Sequence, residues 1–119
     1  MAKEIWRLLK FTYEGTNQVK KSRINILVHG YELFSMKDFE STVEMFSRFM
    51  VIVNELEALG KTYTEVEKVM NILRSLPKKW EAKATAIQKA KDLTKLPLEE
   101  LIGSLMTHEI NLNNHKKKN

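Results

Sequence analysis

The stretch that decides the fold reads LRSLPKKWEAK at residues 73–83 and LPLEELIGSLMTHE at residues 96–109. Pro77 follows an apolar segment and cannot extend a helix, because proline lacks a backbone N–H and clashes with the preceding turn. A proline can occupy the first turn of the next helix, which here is basic and carries Trp80. Pro97 then precedes apolar residues at helical spacing. The stretch predicts a helix end, a proline stop, a basic helix and a last amphipathic helix.

Outward from this stretch the apolar spacing is also helical, and the chain contains only four Gly and two Pro. Gly15 with its two neighbours predicts a stop and a fresh start, Ser41 or Thr42 predicts a cap, and Gly60 predicts a helix end. Thr64 and Glu67 match a capping box. We predict an all-α protein of about six helices, at residues 2–14, 18–34, 41–59, 64–75, 78–90 and 97–110.

Composition sets the class of protein. The chain has 119 residues, of which 43% are hydrophobic and 29% charged, so one domain or two small lobes can fold around a core. Cys is absent, which excludes disulfides and thiolate metal sites. No apolar run approaches the roughly 20 residues of a membrane span, and charges interrupt the N-terminal segment where a signal peptide would need an apolar core. We expect a cytoplasmic protein, with the nucleus as the alternative.

Charge is unevenly distributed. The net charge is +5, yet residues 32–68 contain four basic and eight acidic residues, whereas residues 74–95 contain seven basic and two acidic ones. A basic end on a more acidic body suits a partner that carries phosphates, and solubility is the simpler explanation of the same lysines. The candidate contacts to nucleic acid are Lys78, Lys79, Lys83, Lys89, Lys91, Lys116, Lys117 and Lys118.

Catalytic and metal-binding patterns are not evident. His108 and Glu109 begin a His-Glu pair, but Leu112 stands where the second zinc-binding His would be. The four glycines are isolated, so no phosphate-binding loop is formed, and no nucleophile elbow is present. Trp80 among lysines has the composition of a base-stacking site, although its spacing to Ala84 and Ile87 favours a core position. We predict no enzyme activity, no cofactor, no metal and no small-molecule substrate.

The order of short segments along the chain resembles the Gag polyprotein of copia-type LTR retrotransposons, in the form common in plant genomes. Besides the opening stretch, the resemblance rests on AKEIW (2–6), TYEG (12–15), LVH (27–29), YELF (31–34), MFSRF (45–49) and LEALGK (56–61). It implies a retroviral capsid-like helical bundle. Residues 39–49 stand where such capsids have their major homology region, which Phe46, Arg48 and Phe49 loosely match without its Gln-Gly opening.

The resemblance also implies domain boundaries. Residues 1–36 would be the last part of a capsid N-terminal lobe, residues 37–112 a four-helix C-terminal lobe, and residues 113–119 a disordered basic tail. In that family the second helix of the C-terminal lobe commonly makes a dimer contact. Transferred to this chain, that contact makes Val66, Val69 and Met70 the self-association candidates, with the core as the competing location for all three.

Two departures from the family pattern are Gly30, where a helix former is usual, and Arg7, where an acidic residue is usual. The zinc knuckle that follows in full Gag proteins, built from three cysteines and a histidine, is not in the sequence, so we expect a fragment or a degraded copy. RNA binding would then be electrostatic, blind to sequence and steeply salt-dependent.

The resulting hypothesis is a non-enzymatic capsid-like Gag fragment whose partner is itself, as a homo-oligomer, in particle assembly. RNA is the second partner, and no membrane is involved. Two other classes remain open at this point: a monomeric basic helical protein that binds nucleic acid, and a domesticated adaptor that binds a host protein.

Overall fold

The computed structural model describes residues 2–118, and the side chains of residues 2–114. Its elements are α1 (Ala2–Glu32), α2 (Thr42–Ala58), α3 (Glu65–Ser75), a 3-10 turn (Lys78–Trp80), α4 (Glu81–Ala90) and α5 (Leu98–Lys118). These residues form no β-strand, so the all-α prediction is confirmed, with five α-helices in place of about six.

The predicted break at Gly15 does not occur, and residues 2–32 form one helix. The reason is that the apolar residues before and after Gly15 fall on the same face of one continuous helix. Trp6, Leu9 and Tyr13 lie 18 residues before Ile24, Leu27 and Tyr31, and 18 residues make five turns at 3.6 residues per turn. One interior glycine costs only about 1 kcal/mol against alanine, which does not interrupt a helix that is in register on both sides.

The other helix ends follow the predicted local chemistry. The Ser41 hydroxyl accepts a hydrogen bond from the Glu44 amide and caps α2. Gly60 has a φ of +93°, the left-handed geometry that ends helices and that glycine adopts without strain. Thr64 and Glu67 form both hydrogen bonds of the capping box at the start of α3. These caps fix where each helix begins, and so which face it turns inward.

The core lies among α2, α3, α5 and the C-terminal end of α1. Met45, Phe49, Val53 and Leu56 bury one face of α2 completely. Tyr31 and Phe34 pack their rings on Phe49, at centroid distances of 5.5 and 5.2 Å. The remaining buried apolar residues are Met36, Val69, Ile72, Leu73, Trp80, Ile87, Leu96, Leu98, Leu101, Ile102 and Leu105.

Helix α5 continues further than predicted. The sequence suggested a helix to residue 110, whereas the backbone is helical to Lys118; the disordered tail at residues 113–119 stays a prediction. Neither Gly nor Pro follows Gly103, so no residue in this segment interrupts the helix.

Helix α1 projects beyond this body. Every described residue from Ala2 to Arg23 is exposed, and Ile24 is the first that is partly buried. At 1.5 Å per residue, residues 2–22 form roughly 30 Å of free helix. The molecule accordingly measures 78 × 30 × 18 Å along its principal axes.

Candidate assembly surfaces

The predicted self-association residues Val66, Val69 and Met70 all lie on α3, but they differ in how far they are buried. Val69 is fully buried in the core. Val66 is partly buried, and Met70 is 54% exposed. Only Met70, with the exposed edge of Val66, lies where a second molecule can touch it without opening the core.

Helix α3 is held rigidly under that face by polar contacts to the end of α1. The Asn71 side-chain amide donates to the Tyr31 carbonyl over 2.9 Å, and its oxygen accepts from Arg74. The Ser75 hydroxyl lies 2.9 Å from the Phe34 carbonyl, and the Ser75 carbonyl accepts from the Met36 amide. Buried polar groups that are fully paired give an element a single position. The exposed side of α3 is therefore presented as a defined surface.

The segment between α1 and α2 is tied down by Arg48. Its Nε donates to Glu40 Oε2 over 2.5 Å, and one terminal nitrogen donates to Glu40 Oε1 and to the Ser35 carbonyl. The guanidinium also lies 4.7 Å from the centre of the Phe34 ring. The hydrogen bond from Arg48 lowers the pKa of the Glu40 carboxyl, and that from Glu40 raises the pKa of Arg48.

Two further carboxylates tie distant parts of the body together. Glu109 on α5 accepts from the backbone amide of Thr42, over 2.7 Å, and from its hydroxyl. Thr42 opens α2, so this carboxylate lies at the positive end of the helix dipole. Glu65 on α3 accepts from the Leu98 amide over 3.1 Å and caps α5. Both pairs fix α5 against the rest of the body.

The predicted basic residues do not form one stripe. Lys78, Lys79, Lys89 and Lys91 are exposed, while Lys83 is partly buried. Lys83 and Lys89 are six residues apart on α4, which sets them about 120° apart around the helix. Lys91 lies 3.3 Å from Glu100, an exposed pair that partly neutralises it. The side chains of Lys116, Lys117 and Lys118 lie outside the described residues.

Trp80 is buried, as its spacing predicted. Only 2% of it is exposed, and its ring meets His108 edge to face at 5.2 Å. Burial, with a smaller effect from Lys83, lowers the pKa of His108. Trp80 is therefore a core residue that joins α4 to α5, and its ring is not free to stack on a base.

The free part of α1 carries several large exposed apolar side chains that the sequence analysis did not assign to a contact surface. Trp6 is 69% exposed, Leu9 60% and Tyr13 71%. Isolated exposed apolar residues are ordinary, whereas contiguous apolar patches are often found at sites of contact between proteins. The sequence signal for this surface is that its apolar residues lie 18 residues before Ile24, Leu27 and Tyr31. The predicted helix break at Gly15 placed the two sets on separate helices, so the repeat was not used.

Two other kinds of site are absent from the part of the chain that the structure describes. No helix there is long and apolar enough to cross a membrane. No group of three or more His, Cys, Asp or Glu side chains there is placed to hold a metal ion.

The family of the chain follows from its sequence as a whole. The family model described as the gag-polypeptide of LTR copia-type matches residues 1–118. The chain belongs to this family. Comparison with curated proteins and with solved structures gives no match.

This copia-type Gag chain exposes large apolar side chains on two surfaces, the Met70 side of α3 and the free part of α1. The sequence pointed to the first through the family resemblance. The sequence did not predict the hydrogen bonds of Arg48 and Glu109, because their partners lie 8 and 67 residues away along the chain.

Proposed function

We propose that this copia-type Gag chain is a non-enzymatic structural protein that self-associates during assembly of the retrotransposon particle. The observation that carries the proposal is the family match over residues 1–118. The structure adds a rigid helical body with exposed apolar residues and, in the described residues, no cluster of metal-binding side chains.

On the body, the contact between copies would form around Met70. Methionine is unbranched and polarisable, so it adapts to the surface that it meets. Glu67 and Arg74 lie one turn to either side of Met70 on α3, so opposite charges flank it. Two copies of α3 related by a two-fold axis can therefore bring Glu67 of one opposite Arg74 of the other.

Light scattering over a concentration series tests this contact. The Met70→Glu chain should have a lower average mass than the wild type at the same concentration, because a buried glutamate lacks a partner there. Val51→Glu is the matched control, since Val51 is also an exposed apolar residue, 57% accessible, on a different helix. Equal loss of mass in both variants, or no loss in either, would exclude a specific contact at Met70.

Binding of RNA is the second proposed activity, favoured by the exposure of Lys78, Lys79, Lys89 and Lys91. It would be electrostatic, so affinity should fall by orders of magnitude between about 50 and about 300 mM salt. The Lys78→Gln/Lys79→Gln chain should bind RNA more weakly, with a shallower dependence on salt. Unchanged affinity in that variant would remove these lysines from the proposal.

A further inference from the structure

The free part of α1 repeats the apolar stripe that the same helix buries in the body. Ile24 and Leu27 are partly buried against the core, and Tyr31 is buried within it. Five helical turns earlier, Trp6, Leu9 and Tyr13 stand on the same face with nothing covering them. Trp6, Leu9 and Tyr13 line a shallow depression together with Thr12 and Lys10. The body thus covers the apolar residues in the last third of the helix and leaves those near its start exposed.

Exposure of this face is costly in two ways. It holds large apolar side chains in water, and it leaves about six turns of helix without tertiary support. Helices in proteins owe most of their stability to packing of an apolar face, which this segment lacks. Gly15 in its middle weakens the free segment further. Both costs are removed if a second apolar helix packs on the stripe.

We propose that the occupant is a second copy of this chain, whose free α1 packs antiparallel on the first. The inference rests on the proposed function, because it names a surface through which copies of the protein meet. An isologous contact of this kind uses the same patch on both molecules, so the stripe covers itself.

The apolar area that such a pair can cover reaches the lower limit of a specific interface. Covering Trp6 and Tyr13, each about 70% exposed, on both copies removes roughly 400–700 Å² from water. Ile5 and Leu9 are 56% and 60% exposed and lie on or beside the same face. Their burial on both copies brings the total to about 1,000 Å², the size that a specific interface requires.

The direction follows from the position of the body. In a parallel pair, residues 24–31 of the second copy would run where the first copy's own α2 packs on α1. In an antiparallel pair that crosses between Leu8 and Leu9, the two bodies lie at opposite ends, on the order of 45 Å apart. The same crossing places Lys3 of each copy opposite Glu14 of the other, so two pairs of opposite charge flank the contact.

Disulfide trapping tests the pairing directly, because the natural sequence contains no cysteine. The Leu9→Cys chain should form a covalent dimer under mild oxidation. The Arg7→Cys chain should form no covalent dimer, because Arg7 is exposed on the opposite side of the same helix. Equal cross-linking of both variants, or of neither, would overturn the proposal.

The direction has its own test. When Ile5→Cys and Thr12→Cys chains are mixed, an antiparallel pair should join them as a heterodimer, and Ile5→Cys alone should not cross-link. Cross-linking of Ile5→Cys to itself in place of the heterodimer would overturn the antiparallel arrangement.

This test is separable from that of the proposed function. The Trp6→Glu/Tyr13→Glu chain should lose the α1 contact and keep the unfolding midpoint of the body, since neither residue packs on it. The Met70→Glu chain should keep Leu9→Cys cross-linking. Oligomers that form without Leu9→Cys cross-linking would refute the α1 pairing and leave the proposed function standing. A wild type that stays monomeric at every concentration, with no cross-linking, would refute both.

Discussion

The Arg48 guanidinium and the Glu40 carboxylate form a bidentate pair, with nitrogen–oxygen distances of 2.5 and 2.6 Å. The Glu40 side chain is only 6% exposed, whereas that of Arg48 is 35% exposed. Breaking a buried pair on one side leaves an uncompensated charge, which is costly. This pair joins the segment after α1 to α2, so it helps to fix the position of the loop that follows the projecting helix.

The Arg48→Ala substitution should lower the free energy of unfolding by about 2–3 kcal/mol. This is less than a fully buried pair costs, because Arg48 is partly solvated. Urea denaturation measures it. Arg23→Ala is the control, since its 2.7 Å pair with Glu55 is well exposed and should contribute at most about 1 kcal/mol. A smaller loss for Arg48→Ala than for Arg23→Ala would contradict the structural role of the buried pair.

Acid should weaken this attachment. The hydrogen bond from Arg48 holds the pKa of Glu40 below its ordinary value of 4.5. A carboxyl whose pKa is lower in the folded state stabilises the fold above its unfolded pKa. That stability is lost as the pH falls through the folded pKa. The difference in unfolding midpoint between wild type and Glu40→Gln should therefore be full at pH 7 and shrink below about pH 4.5. A difference that does not change with pH would show that ionisation of Glu40 is not involved.

Two glycines should respond in opposite directions to alanine. Gly103 is helical, and an added Cβ would meet no atom within 4 Å, so Gly103→Ala should raise the free energy of unfolding by about 0.5–1 kcal/mol. Gly60→Ala should lower it by about 1–2 kcal/mol, because its φ of +93° is strained for any residue with a Cβ. Thermal unfolding of both variants checks the prediction. Changes of the same sign would contradict the assigned backbone geometry.

Val69 and Met70 are neighbours in the chain with opposite burial. Val69→Ala should lower the free energy of unfolding by about 1–2 kcal/mol, because it removes methyl groups from a closed core. Met70→Ala should change it by less than about 0.5 kcal/mol, as surface substitutions usually do. Urea denaturation at low protein concentration measures the free energy of unfolding of both variants. A large loss for Met70→Ala alone would mean that α3 turns a different face to the core.

Local sequence signals predicted most of the helix ends, because caps and prolines act within a few residues. The capping box at Thr64, the stop at Pro77 and the end at Gly60 are of this kind. The predicted break at Gly15 was wrong because it rested on a single glycine and ignored that the apolar residues on either side share one helix face. Pairing of the buried polar groups could not be predicted, since Glu40–Arg48 and Thr42–Glu109 depend on how the helices pack.

The sequence likewise predicted the candidate surfaces only in part. The family resemblance pointed to α3, but burial decides that Met70 is available and Val69 is not. The repeated apolar spacing of α1 is visible in the sequence. Only the structure shows that the body covers one part of this apolar face and leaves the other part exposed.

Self-association is tested most directly by sedimentation velocity of the unmodified chain over a hundredfold range of concentration, from about 1 to about 100 μM, a span that covers moderate affinities. We predict a shift from monomer to dimer and larger species as concentration rises, with α1 and the Met70 side of α3 supplying separate contacts. A single monomeric boundary across the whole range would contradict the assignment of this Gag chain as a self-assembling structural protein.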